Sequence, residues 1–190
     1  MVSRYELQEL GGRPVLLTAR LKLRPFSSED AKKVQLLAGH ERVAATTALI
    51  PHPYPDGVAE EWIASHESWF RDQRGVHFGI ELLGNSELIG CIDLSVSVAN
   101  KKAELAYWVG FDFWNHGFCT EAAKAVVRFG FENLGLQKIT SRHMSINPSS
   151  GRVMQKIGMK REGHLRREYF KNGKMHDMEV YGILKEELGD

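Results

Sequence analysis

The spacing of hydrophobic and polar residues changes period several times along the chain, and each change marks an element. VLLTARLKLRPF (15–26) alternates around Leu17, Ala19, Leu21 and Leu23, which is the period of a strand, and Pro25 stops it. SSEDAKKVQLLAG (27–39) switches to helical spacing, with a serine cap, acids in the first turn, and Ala31, Val34, Leu37 and Ala38 on one side. Beyond the turn-rich PHPYPDG (51–57), the stripe Val58, Trp62, Ile63, His66, Trp69 and Phe70 predicts a helix over 58–74 with its apolar face in the core. Residues 76–96 read as two strands about the Gly84–Asn85 turn and 101–111 as a third, so the three form an antiparallel meander. Ala122, Ala123, Val126, Val127, Phe129 and Phe131 predict a helix over 120–134, closed by Gly135. A short strand (137–146) and a short helix (148–158, with Val153, Met154 and Ile157 inward) follow. Asn172–Gly173, between HLRREYFK and KMHDMEVYGIL, predicts a closing hairpin.

The order β, α, α, β, β, β, α, β, α, β, β implies an α/β (α+β) fold with a mixed sheet. The strands at 101–111 and 137–146 are joined by a helical crossover and are expected to run parallel. FWNHGFCTEA (113–122) leads into that crossover helix, at a strand's carboxyl end beside a helix N-terminus, where open sheets bind ligands. Gly117 permits close approach to the main chain, and the amides of His116 to Thr120 at the positive end of the helix suit a phosphate or pyrophosphate. The same glycine also reads as ordinary turn chemistry. The run lacks the glycines of a dinucleotide fingerprint and the lysine of a nucleotide-triphosphate loop.

Composition narrows the partners. The chain of 190 residues, 43% hydrophobic and 26% charged, reads as one domain over 1–190, with residues 1–13 as a polar N-terminal extension. A net charge of +1 recruits neither nucleic acid nor membrane. Cys91 and Cys119 form no CxxC or Cys/His cluster, and the eight histidines show no ligand spacing, so no metal is expected. With no apolar leader or spanning run, the expected location is the cytoplasm.

YWVGFDFWNHGFCTEA, followed by NPSSGRVMQKIGMKREG, resembles the GNAT superfamily of acyl-CoA-dependent N-acetyltransferases, and within it the Rim-type branch that acetylates protein N-termini, those of ribosomal proteins included. The matching residues are Tyr107–Trp108, Trp114 to Ala122, Asn147 with Ser150, and Lys156 to Met159, and the likeness spans most of 15–186. Asn115 stands where glycine is usual, Cys119 where alanine or glycine is usual, and Met159 replaces an aromatic. The resemblance implies a mostly antiparallel sheet of about seven strands with a splayed parallel pair. It implies acetyl-CoA as co-substrate, its pyrophosphate on the amides of His116, Gly117, Phe118, Cys119 and Thr120, and its pantetheine along Trp108, Val109 and Gly110 with Asn147 bonding the arm. The branch also admits a homodimer.

Acetyl transfer needs a neutral amine, a home for the oxyanion and a proton for the leaving thiolate. An α-amine of pKa near ~8 is about a tenth neutral at pH 7, far more than a lysine near ~10.4. The resemblance points to Ser150 as thiolate donor, with neighbouring Ser149 adding ambiguity and Tyr169 and Tyr181 as further donors. It points to Glu168 or Glu104 as base, and each also reads as a surface glutamate paired with a nearby Arg or Lys. A backbone amide near Val109 or Gly110 is expected to hold the oxyanion. His116, Cys119 and the adjacent His176–Asp177 look like chemistry but read better as structure. The acceptor is expected to be a protein N-terminus. A small amine such as a polyamine is the alternative, hinted at by Asp56, Glu60 and Glu61, and a non-catalytic acyl-CoA-binding module is a third reading.

Overall fold

The structure, a computed structural model, describes residues 12–189, so most of the expected N-terminal extension lies outside the described residues. The strand expected over 15–26 is cut in two. Thr18 returns both its amide and its hydroxyl to Leu21 O, at 2.9 and 3.2 Å. That local bonding turns the chain between β1 (Leu16–Leu17) and β2 (Leu21–Arg24), which pair antiparallel with Leu16 opposite Leu23. Helix α1 (Ala31–Ala38) is followed by an unexpected six-residue helix, α2 (Glu41–Thr46), capped by His40 Nδ1 accepting from Arg42 N at 3.2 Å. Six residues are too few for a helical period to show in the sequence.

Helix α3 (Val58–Arg71) carries the expected aromatic stripe, and the meander is β3 (Gly75–Leu82), β4 (Leu88–Ser97) and β5 (Lys102–Val109). The crossover helix α4 (Phe118–Glu132) starts two residues earlier than its apolar period suggested, and Gly135 adopts a left-handed φ of 62° just beyond its end. Then come β6 (Lys138–Met144), α5 (Pro148–Lys156), and the hairpin β7 (Lys160–Lys171) and β8 (Lys174–Leu184). The eight strands lie in the order β1-β2-β3-β4-β5-β6-β8-β7, antiparallel except for β5 against β6.

Strand alternation sends side chains to two faces, and helices cover both. Leu105, Ile92 and Leu94 pack with Val126, Val127 and Phe131 of α4 and Met154 of α5. On the other face Cys91 joins Phe26, Val34 of α1 and Ala59 and Ile63 of α3. Among the described residues no helix is long and apolar enough to cross a membrane.

The parallel pair is short. Lys102, Ala103 and Glu104 pair with Lys138, Ile139 and Thr140, and no pairing continues beyond them, although both strands run on for several residues. Ser141 Oγ spans the widening gap to Leu105 O at 2.8 Å. The sheet therefore opens into a cleft from Leu105 onward.

Candidate active site

The opening of the sheet frees main-chain groups on one edge of β5. Gly110 donates its amide to Ile89 O at 2.8 Å, toward β4. By alternation the amides of Val109 and Tyr107 face the other way, into the gap left by β6. Trp114 Nε1 takes Val109 O at 3.0 Å and fixes the strand end. Of the two amides expected near the oxyanion, Val109's thus faces the cleft and Gly110's is already engaged.

Chain geometry then turns sharply into α4. Asn115 has φ 65° and Gly117 φ 79°, both left-handed. Asparagine tolerates that region better than other side chains, so its presence in a usual glycine position keeps the turn. Glu121 is the first α4 residue to return its amide, to Gly117 O at 3.1 Å. The amides of Phe118, Cys119 and Thr120 are left facing outward, as at every helix start.

Arg20 braces this turn from the far edge of the sheet. Its Nε meets Glu121 Oε2 at 2.7 Å, its Nη1 donates to His116 O at 3.1 Å, and its guanidinium lies 4.7 Å from the centre of the Phe118 ring. Burial pushes the Glu121 carboxyl up, but hydrogen bonds from Thr18 and Arg20 outweigh it and hold the pKa below the ordinary value. The His116 ring stacks on Phe118 at 5.6 Å. The Cys119 thiol is pushed up to about 12 by burial, so it is no thiolate at neutral pH.

Across the gap, α5 begins at Asn147, whose Oδ1 accepts Ser150 N at 3.3 Å and whose Nδ2 donates to Thr46 O at 3.1 Å. Asn147 therefore caps one helix and holds the end of another, with one N–H and one lone pair to spare. Ser150 Oγ lies 3.0 Å from Tyr107 Oη, which is also 2.9 Å from Ser150 O. Burial raises the Tyr107 hydroxyl well above its usual range, against the lowering effect of the bond to Ser150. The other two tyrosines are committed elsewhere: Tyr169 donates to Ala48 O at 3.1 Å, and Tyr181, buried, accepts from Gln155 at 3.5 Å.

Tyr107, Val109, the turn from Trp114 to Thr120, Asn147 and Ser150 line one cavity of about 1000 Å³, which passes through the opened sheet to the α1–α3 face. That volume is at the top of the range for small-molecule sites. On the second face the walls are Tyr54, Trp62, Asp93, Glu104 and Trp108, with Arg142, Glu168 and Tyr169 from the late strands. Glu104 Oε1 is held by Arg142 Nε at 2.8 Å. Glu168, exposed and without a hydrogen bond among the described residues, sits where β7 slips register between Leu165 and Tyr169, with Arg167 at φ 53°. Such a bulge re-aims a side chain, here toward the cleft. His176 and Asp177 form no dyad: His176 Nε2 lies 3.3 Å from Lys171 O, and Asp177 meets His164 Nε2 at 3.1 Å and accepts Arg167 N at 2.7 Å.

The roof of the second face is the segment after α2, and β7 fastens it. Lys171 Nζ donates to the carbonyls of Ala44 at 2.7 Å, Ile50 at 2.8 Å and Ala48 at 3.3 Å, and to that of Thr47. Burial lowers the pKa of this ammonium.

The structure brings together Ser150, Glu168, Glu104 and the turn at 116–120 in one cleft, as the sequence reading grouped them. It adds three residues that reading missed. Tyr107 was noticed only as part of a Tyr-Trp pair. Asp93 was visible as a lone acid inside the apolar run LIGCIDL, and Arg142 as a cation in a short strand.

The class defined by an opened parallel pair with a helix start beside it is matched by comparison. Residues 20–160 fit the model of the acetyltransferase (GNAT) domain. The chain belongs to that family and is an acetyl-CoA-dependent N-acetyltransferase. It is 31% identical over 173 residues to the uncharacterized N-acetyltransferase YoaA of Bacillus subtilis, covering 90% of this chain and 97% of that one. It is 28% identical over 171 residues (88% and 92% of the two chains) to B. subtilis YdaF, whose name assigns it, provisionally, as a ribosomal N-acetyltransferase. The fold is shared with the spermidine N-acetyltransferase of Vibrio cholerae solved with CoA and spermine, at a TM-score of 0.77 and 22% identity over 90% of this chain and 98% of that one.

Proposed function

We propose that this protein acetylates a protein N-terminal α-amine. The observation that carries the reading is the Arg142–Glu104 ion pair on the acceptor face. A guanidinium fixed there suits an acceptor with one positive charge and peptide carbonyls beside it. A polycation would meet repulsion and find one of the face's carboxylates already neutralised. Asp56, Glu60 and Glu61, which hinted at a polyamine, are outside the cavity wall, and Asp56 is taken by Gln35 at 2.7 Å. The similarity to YdaF agrees with the reading.

In this reading the outward amides of Phe118, Cys119 and Thr120, with those of His116 and Gly117, hold the pyrophosphate. The exposed edge of β5 at Tyr107 and Val109 pairs with the pantetheine, and Asn147 offers its remaining N–H. Trp108 and Gly110, facing β4, shape the strand rather than bond the arm. Val109 N–H is placed for the oxyanion. Ser150, its hydroxyl bonded to Tyr107, supplies the thiolate's proton, and Tyr107 passes on a replacement. Glu168 at the mouth attracts the ammonium, and Glu104 with Arg142 orients the peptide behind it. The presence of a proton donor pair and free carboxylates argues against a module that only binds coenzyme.

A thiol-release assay with acetyl-CoA across peptides starting with Ser, Ala or Met, beside spermidine, tests this. The expected result is turnover on at least one peptide, with mass spectrometry placing the acetyl on its α-amine. Turnover on spermidine and on no peptide overturns the reading.

A further inference from the structure

We propose that Asp93 is the catalytic base that takes the proton from the acceptor ammonium. The inference rests on acetyl transfer at this cleft but not on which amine is the acceptor. Asp93 lies on β4 opposite Ala106, one position from Tyr107, where β5 leaves its partner, and its carboxyl lines the acceptor side of the cavity. Among the described residues it makes no hydrogen bond or ion pair.

The competing carboxylates are each handicapped. Glu104 is engaged through Oε1 by the Arg142 guanidinium at 2.8 Å. Glu168 lines the same cavity but is exposed to solvent. Asp93 is half-buried and, among the described residues, unpaired.

The groups around it keep it poised. Glu104 faces it from β5, with Arg142 of β6 beyond. From β3 the cross-strand partner is His77, on whose ring His66 of α3 stacks at 4.1 Å. Both histidines are held neutral by burial, at about 4 and about 3, with Arg13 adding at each and His77 adding at His66. On its own strand Cys91 is buried and its thiol raised, chiefly by burial. Asp93 therefore has one negative neighbour and no cation in contact. Burial first and Glu104 second lift its carboxyl to about 7, which is matched to an α-amine near ~8.

The step balances as follows. Asp93 carboxylate accepts one proton from R–NH₃⁺. The freed lone pair forms the C–N bond at the thioester carbonyl, and the oxyanion meets Val109 N–H. The C–S bond breaks and the thiolate takes its proton from the Ser150–Tyr107 pair. The nitrogen's second proton, shed as it becomes an amide, restores that pair, and Asp93 returns its proton to solvent. The products are the acetamide, the thiol and one proton.

Asp93→Asn, Asp93→Glu and Glu168→Gln are compared on whichever amine of the panel turns over, so that a wrong acceptor class does not affect the outcome. For the parent protein kcat/KM is expected to fall tenfold per unit below pH about 7. Asp93→Asn is expected to lose on the order of 100-fold in kcat with unchanged KM for acetyl-CoA. Its residual rate follows the amine's own ionisation instead of the limb near 7, and Asp93→Glu recovers part of the loss. Independently of turnover, the ¹³C carboxyl resonance that Asp93→Asn removes is expected to titrate near pH 7. A resonance titrating near ~4, a limb near pH 7 that survives in Asp93→Asn, or a larger kcat loss in Glu168→Gln would each overturn the proposal.

Discussion

From His116 to Thr120 the cleft presents amides, while its other side presents the carboxylates of Asp93, Glu104 and Glu168, the Arg142 guanidinium and aromatic rings. The side proposed for the coenzyme comes from one continuous turn, the edge of one strand and the Asn147 cap of α5. Its chemistry is largely that of the backbone, which every residue carries, so the sequence matters there mainly through what it permits: a left-handed Gly117, a tolerant Asn115, a short Cys119. The acceptor side draws on β4, β5, β6, β7, α3 and the segment after α2, and each contributes a side chain that another sequence could replace. One side can be shared across a family, whereas the other can diverge without disturbing the fold.

The largest way to break this contrast is at the point where the two sides meet. Tyr107→Phe combined with Ser150→Ala is expected to lower kcat by about 100-fold or more while leaving acetyl-CoA affinity within a few-fold, as measured by single-turnover kinetics and calorimetric binding. A backbone-built site should respond differently. At Gly117 an added Cβ meets no neighbour closer than Arg20 Nη2 at 3.6 Å, so the cost of Gly117→Val starts from the left-handed φ of 79°, about 1–2 kcal/mol. Acetyl-CoA affinity should fall about tenfold, with kcat for bound substrate little changed. If Gly117→Val binds normally, the amides are not the coenzyme site.

On the acceptor side, Arg142→Gln removes the guanidinium and frees Glu104. Spermidine should then gain several-fold in kcat/KM relative to a peptide acceptor, and acetyl-CoA KM should stay fixed. An unchanged ratio means that the ion pair has no part in choosing the acceptor.

The smallest effect separates the two sides by pH. His66 and His77, both behind the acceptor wall, stay neutral in the fold down to about 3 and 4, against an ordinary 6.5. Below pH about 6.5 the unfolded chain takes up protons that the folded chain refuses, so stability falls by up to about 1.4 kcal/mol per pH unit for each histidine. Asp93 works in the opposite sense, because its raised pKa lets the fold bind a proton first, between about 7 and the ordinary 3.8. A denaturation series from pH 7 to 5 should therefore show a net slope near that of one histidine. Asp93→Asn should steepen it, and His77→Phe should flatten it.

The elements that define the fold were legible because each had a period long enough to register. The meander, the α4 stripe from Ala122 to Phe131 and the Asn172–Gly173 hairpin all appear where expected. The breaks came where a single side chain overrode a pattern. Thr18 closed a turn inside an alternating run, and His40 capped a helix only six residues long. Legibility of the site followed the same division. Amides at a glycine turn announce themselves by spacing, whereas Asp93 and Arg142 acquire meaning only when β4, β5 and β6 lie side by side. Tyr107 could be seen, but its bond to Ser150, 43 residues away, could not.

Lys171 carries the functional group that this class of enzyme modifies, since the roof of the acceptor face is fastened by a primary amine. Its four carbonyl partners are best served by the protonated form, which brings three N–H donors and has no lone pair for attack. The bonds that shape the entrance also keep the protein from being its own substrate there, because to react Lys171 would first have to let the entrance go.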